Sequence, residues 1–270
     1  MTQTKSFFTD GEAYQRMMGR WSRTAGEVFL DWLHLPQGLR WADVGCGTGA
    51  FTELLVDRCA PSEVCAVDPS ADQIAYARTT PAANTVNFQV GDAQSLPFGD
   101  GAFDAAAMAL VMTFISDPAK ALAELKRVVK PGGTIGTYVW DFANGGSTLE
   151  PLRRAIEAAG AKMVPAPGHQ NSSREALNRI FKAAALDDVA TRVIEIDVSY
   201  PNFDSYWASQ TALPNSIVQH LHEMKAAEVD GVKAYLRERL PTDQSGRIAY
   251  KAKASAAKGR VPVEGNGPRR

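Results

Sequence analysis

The sequence predicts an α/β fold, a doubly wound sheet of about seven strands, mostly parallel with an antiparallel edge strand. Three observations carry this expectation. Short β-rich runs alternate with helical spacings between residues 40 and 140. A glycine-rich turn, WADVGCGTGAFT at 41–52, joins the first of these strands to a helix. Two strongly alternating runs flank a long helical block near the C-terminus. A β-α-β-α-β order implies parallel strands, right-handed crossovers and helices on both faces.

The elements follow in order. Strands are expected at 40–44 (RWADV), 63–67 (EVCAV), 86–90 (VNFQV), 103–110 (FDAAAMAL) and 134–140 (TIGTYVW). Helices are expected at about 50–60, 71–79 and 117–130. The last is the clearest, because DPAKALAELKRVVKPGG has an acidic start, apolar residues at i, i+3, i+4 and a Lys-Pro-Gly-Gly stop. Beyond 148 come a helix near 148–160, a Pro/Gly/His loop at 164–173 and a helix near 173–184 that Ser172 or Ser173 caps. VATRVIEIDVSY (189–200) alternates as a strand, and GRIAYKAKASA (246–256) alternates as a half-exposed edge strand. The helical block at 203–240 stands where a simple hairpin would serve, so it reads as an insertion covering the site. The chain thus divides into N-terminal helices at 1–39, a core at 40–140, a C-terminal half at 141–258 and a frayed, Gly/Pro/charge-rich tail at 259–270.

Composition narrows the function. With 45% hydrophobic and 22% charged residues over 270 positions, the chain has material for a full core. A net charge of −1 offers no basic field for nucleic acid. No apolar run approaches the roughly 18–20 residues of a membrane span, and the N-terminal residues have no apolar signal-peptide core. Three cysteines, Cys46, Cys59 and Cys65, make an odd set without metal-ligand spacing. They suggest neither disulfides nor zinc, and a reducing cytoplasm is expected.

Gly45, Gly47 and Gly49 keep side chains off the backbone between strand and helix, more than a tight turn requires. Gly45, Gly47 and Ala50 satisfy a relaxed dinucleotide fingerprint, and Asp68 lies 21 residues after Gly47 where a ribose-binding acid belongs. Taken alone, the loop suits a nicotinamide dinucleotide or another nucleotide-type ligand.

The wider set of motifs is more specific. ADVGCGTG (42–49) closely resembles the first motif of class I S-adenosylmethionine-dependent methyltransferases, including the acid two residues before the first glycine. AVDPS (66–70) resembles that family's second-strand end, VGDAQSLPFGDGAFDAAAMALVM (90–112) its third- and fourth-strand segment, and AELKRVVKPGGTI (123–135) its helix, turn and fifth strand. All of 40–140 fits in order, giving a Rossmann-like fold. YQRMMGRWSR (14–23) is similar to sequence found before the first strand in ubiquinone/menaquinone-biosynthesis-like small-molecule methyltransferases.

The resemblance implies roles. Gly45, Cys46, Gly47 and Gly49 bring backbone close to the amino-acid part of S-adenosylmethionine, and Asp43 faces its cationic part. Asp68, beside Pro69, takes the ribose hydroxyls; at a strand end, it is expected to matter little to folding. Asp92 and Ala93 meet the adenine, and Leu110 packs under the cofactor. Tyr14, Arg20 and Trp21 form a lid, with Arg20 on the methionine carboxylate; an amphipathic helix with a surface arginine is the alternative.

Methyl transfer from a sulfonium needs alignment more than covalent help. No base stands out: His169, His220 and His222 read mainly as surface or packing residues, and Asp141 and Asn144 border the expected pocket or simply build a loop. The stretch after the fourth strand, ALVMTF (109–114), lacks the Asn/Asp-Pro-Pro-Tyr/Phe element of amino-methylating DNA enzymes. The expected acceptor is therefore a small molecule. Phe203, Tyr206, Trp207, Leu213, Ile217 and Leu221 suggest an apolar or aromatic one, or an ordinary helical core. A non-catalytic S-adenosylmethionine-binding regulator and an NAD(P)-dependent oxidoreductase are the alternatives.

Overall fold

The computed structural model describes residues 20–165, 168–212 and 216–263. Tyr14 and Leu213 fall outside the described residues, and so does the side chain of Arg20. Seven strands form one sheet: β1 (Arg40–Val44), β2 (Glu63–Asp68), β3 (Val86–Val90), β4 (Phe103–Ala109), β5 (Val129–Trp140), β6 (Asp187–Tyr200) and β7 (Ile248–Arg260). Their order is β3-β2-β1-β4-β5-β7-β6. β1 to β5 are parallel, and β7 runs antiparallel to both of its neighbours. The chain winds outward from β1 to β3 and then returns to β4 on the far side of β1. Strand order therefore reverses between β1 and β4, where a crevice opens beyond their carboxyl ends.

Nine described helices, α1 (Arg20–Leu33), α2 (Ala50–Cys59), α3 (Ala71–Ala77), α4 (Pro118–Val128), α5 (Glu150–Ala158), α6 (Arg174–Ala183), α7 (Phe203–Thr211), α8 (Ser216–Glu223) and α9 (Ala226–Arg239), cover the sheet. α1 buries Trp21, Ala25, Phe29 and Leu33, spaced four apart and so on one stripe. Asp117 caps α4 by accepting from Lys120 N–H (3.0 Å), with Pro118 in the first turn. Ser173 caps α6; Ser172 instead donates to His169 O and accepts from Ala143 N–H.

Three sequence expectations need correction. The antiparallel strand β7 lies inside the sheet, and β6 forms the edge. The alternation of β7 has a local cause: its ladder with β5 reaches only Ala254, so β6 is the one strand beside Ile248–Lys253, and loop residues such as Pro241 and Gly146 meet its other side. The tail also begins later than 259. Gly259 and Arg260 pair with Ile135 and Thr134, and Val261 is buried with its N–H on Gly133 O. The Lys-Pro-Gly-Gly element lies within β5, as an irregularity between the Phe103↔Val129 and Ala105↔Thr134 pairs. Regular pairing resumes at Thr134, where the apolar run starts.

Candidate active site

β1 delivers the chain into the glycine loop. Gly45 and Cys46 N–H both donate to Val67 O (2.7 and 3.0 Å), tying the loop to the end of β2. Gly45 has φ +79°, and a Cβ there would lie 2.4 Å from a Val111 methyl. Gly47 has φ +56°, and its Cβ would lie 2.7 Å from Gln73 Oε1. Both positions therefore combine left-handed backbone with close approach, and only glycine fits both demands.

Asp68 ends β2 with both carboxylate oxygens engaged. Gly47 N–H donates to Oδ2 (3.0 Å) and Ser70 N–H to Oδ1 (2.9 Å). Burial pushes its pKa upward, opposed by those two backbone donors. The expectation that Asp68 matters little to folding is thus corrected, because it holds the glycine loop in place. Each oxygen still has lone-pair capacity for a further donor.

Asp43 is fully buried behind the loop. Thr52 Oγ1–H donates to its Oδ2 (2.6 Å), while Oδ1 has no partner among the described residues. Burial raises its pKa to about 7, the Thr52 bond opposes the rise and the nearby Asp68 charge adds to it. Burial likewise pushes the Cys46 thiol up, helped by Asp43 and Asp68, so this cysteine is not an activated nucleophile.

The glycine loop and Asp68 bound a cleft of about 420 Å³ at the switch point. Gly45, Cys46, Gly47, Asp68 and Pro69 line one wall. Asp92, Ala93, Leu110, Phe114 and Ile115 line it as well. Asp92 Oδ1 accepts from Gln94 N–H (2.8 Å), and Ala93 is buried. Leu110 holds φ +62°, a conformation that costs a non-glycine residue about 1–3 kcal/mol, with its N–H on Tyr138 O.

Several expected residues do not reach the cleft surface. Trp21 belongs to the core: its ring packs edge-on against Tyr200 at 6.0 Å and its Nε1–H donates to Tyr200 Oη (3.2 Å). The apolar stripe of α1 turns it toward the sheet, so Ser22 and Arg23 face the cleft in its place. Asp43 stands one layer behind the loop, and Gly49 faces Phe88 and Ala77 rather than the cleft. Among the described lining residues there is no histidine, no Asp141 or Asn144, and no residue of the helical insertion. Asp141 accepts from Asn144 N–H and Nδ2–H and so builds a loop. Tyr206 and Leu221 are core residues, with Phe203, Trp207 and Ile217 packed against that core.

Sequence reading missed Ser22, Arg23, Thr48, Gln73, Phe114 and Tyr138 on the cleft wall. The position of Phe114 in the turn after β4 was the available signal; the others are ordinary helix, loop or strand residues whose direction depends on packing.

The donor set fits a ligand carrying a zwitterion and a ribose. The wall and the layer behind it hold three buried polar atoms without described partners: Asp43 Oδ1, Thr48 Oγ1 and Ser22 Oγ. Orphans of this kind are costly and mark places where a polar group belongs.

Residues 42–136 match the methyltransferase domain family. A demethylmenaquinone methyltransferase of Renibacterium salmoninarum is 31% identical over 195 residues, 68% of this chain and 76% of that protein. A malonyl-(acyl-carrier protein) O-methyltransferase of Pectobacterium atrosepticum is 38% identical over 113 residues, 42% of this chain and 43% of that protein. The chain spans from 36% to 76% of the length of such curated relatives. Among solved structures, phosphoethanolamine N-methyltransferase 2 of Haemonchus contortus, in complex with S-adenosyl-L-methionine, has a TM-score of 0.59 at 18% identity, over 97% of this chain and 59% of that one. At that identity the likeness speaks for the fold. With 68% of its length aligned to a named methyltransferase and its strands wound in the order described, the chain belongs to the class I S-adenosylmethionine-dependent methyltransferases.

Proposed function

We propose that the chain transfers a methyl group from S-adenosylmethionine to a small-molecule acceptor by in-line displacement. The observation that carries this reading is the meeting of an open glycine-loop backbone with the Asp68 carboxylate in one cleft. Gly45, Cys46 and Gly47 would cradle the amino-acid portion, and Asp43 would balance its positive charge from behind. Asp68 and Pro69 would hold the ribose, Asp92 and Ala93 the adenine, with Leu110 beneath. Residues before α1, including Tyr14, would cover the cofactor with help from Arg20. Free thiols at Cys46, Cys59 and Cys65 support a reducing, cytoplasmic setting.

The cofactor supplies an electrophilic methyl on sulfur; the protein's work is alignment and exclusion of water. An apolar or aromatic acceptor is favoured by Phe114, which stays 59% exposed at the cleft beside Ile115 and Val111. Nucleic acid is disfavoured by the net charge of −1. No described helix is long and apolar enough to cross a membrane.

S-adenosylmethionine and S-adenosylhomocysteine are expected to bind and to raise the melting temperature, whereas NADH does neither. Calorimetry and thermal unfolding check this, and saturating cofactor without heat or shift would sink the reading. Formation of S-adenosylhomocysteine across an acceptor library then separates an enzyme from a regulator.

The pH dependence of affinity follows from Asp43. The native carboxyl holds its proton up to about pH 7, while the unfolded one releases it near 3.8. Its contribution to stability is therefore greatest below about pH 4 and is lost as pH rises through about 7. A cationic ligand favours the ionised form, so affinity for S-adenosylmethionine should rise by up to about tenfold between about pH 5.5 and 7. Asp43→Asn should flatten the profile; an equally steep profile in that variant would remove Asp43 from the account.

A further inference from the structure

We infer that Arg23, with the Ser22 hydroxyl, clamps the methionine carboxylate of the cofactor, and that Asp57 is the internal partner Arg23 gives up to do so. The inference rests on the cofactor assignment above. Among the described residues lining the cleft, Arg23 is the one positively charged side chain; the acids there are Asp68 and Asp92. Among the described residues, Arg23 is therefore the cation that a ligand carboxylate in this cleft meets. A guanidinium suits it, because its paired N–H groups match two carboxylate oxygens.

Arg23 is held loosely. Its guanidinium lies 3.3 Å from Asp57 Oδ2 and 3.6 Å from Glu27 Oε1; Asp57 is exposed, and Arg23 and Glu27 are about half exposed. Exposed pairs of this kind contribute little, so leaving them is easy. Its backbone, by contrast, is fixed. Trp21 is anchored in the core, the Tyr138 hydroxyl donates to Ser22 O (3.2 Å), and Gly26 packs so closely on Leu54 that a Cβ would lie 2.7 Å away. That contact seats α1 against α2, the helix that follows the glycine loop. The Ser22 hydroxyl, buried and without a described partner beside Arg23, is a second donor for the same anion. Asp43 lies behind the glycine loop, bonded to Thr52 of α2, so the clamp and Asp43 would divide the zwitterion, carboxylate to Arg23 and ammonium to the acid.

The test uses the full chain and three ligands by calorimetry: S-adenosylmethionine, S-adenosylhomocysteine and 5′-methylthioadenosine, which lacks the amino-acid portion. Arg23→Ala should weaken S-adenosylhomocysteine at least about tenfold, the scale of a lost bond to a charged group. Binding of 5′-methylthioadenosine should change less than about twofold, and Arg23→Lys should recover only part of the loss. Asp57→Asn, which releases the arginine, should tighten S-adenosylhomocysteine, a result that a purely structural Arg23–Asp57 pair does not give. Equal losses for both ligands, or a loss in Arg20→Ala with none in Arg23→Ala, would overturn the assignment. Should Arg23→Ala not fold, Asp57→Asn decides alone: unchanged or weaker binding there counts against the clamp. Wild-type protein that binds none of the three ligands would strike at the cofactor assignment instead.

Discussion

Trp21→Ala is expected to destabilise the protein by about 3–5 kcal/mol, the range for deleting a large aromatic side chain from a core. Trp21 is 5% exposed, on the stripe that α1 presses against the sheet. The substitution empties that space and removes the Nε1–H donor to Tyr200 Oη, leaving that hydroxyl with Gln210 Nε2–H at 2.9 Å. Trp21→Phe should recover most of the loss, because it keeps a ring and forgoes only the hydrogen bond, about 1 kcal/mol. Urea unfolding of both variants measures the effect. Cofactor affinity at full folding should change far less than stability. A stable Trp21→Ala protein that no longer binds S-adenosylmethionine would return Trp21 to the lid. Removal of residues 1–19 is the companion experiment: it leaves Trp21 and α1 in place, so the fold should persist while any cover built from Tyr14 is lost.

Asp68→Ala should reduce both cofactor affinity and stability, and the two losses are separable. The affinity loss is about 2–3 kcal/mol, the scale of hydrogen bonds to a charged group. Melting of the cofactor-free protein should report a further loss of about 1–3 kcal/mol, because Gly47 and Ser70 N–H both lose their acceptor. Asp68→Asn is not a silent control. Its amide replaces one of the two acceptors with a donor, so either Gly47 or Ser70 N–H faces another N–H. Calorimetry at a temperature where the variant is folded isolates the binding effect. Unchanged affinity in folded Asp68→Ala would assign the ribose to another residue.

The difference between these two positions marks the border between local and tertiary information. Alternating apolar runs, helix caps such as Asp117 and the glycines of the loop are local features, and the sequence by itself determined the strand succession, the parallel core and the position of the loop at a strand's end. Spacing along the chain likewise brought Asp68, Asp92 and Leu110 to the carboxyl ends of successive strands, because parallel strands deliver their ends to one edge of the sheet. Direction was another matter. Whether Trp21 or Arg23 looks into the cleft depends on which stripe of α1 meets β6, a contact between residues 179 apart in the case of Trp21 and Tyr200. Whether β6 or β7 forms the edge depends on a long-range ladder, since both alternate along part of their length. Asp43 and Asp68 look alike in the sequence, each an acid in or beside a strand; folding buries one to carry a pKa near 7 and fastens the other to the glycine loop. Local pattern is a property of neighbouring residues and survives in the sequence, whereas facing, edge and ionisation are set by what packs against a residue from elsewhere in the chain, and only the tertiary structure decided them.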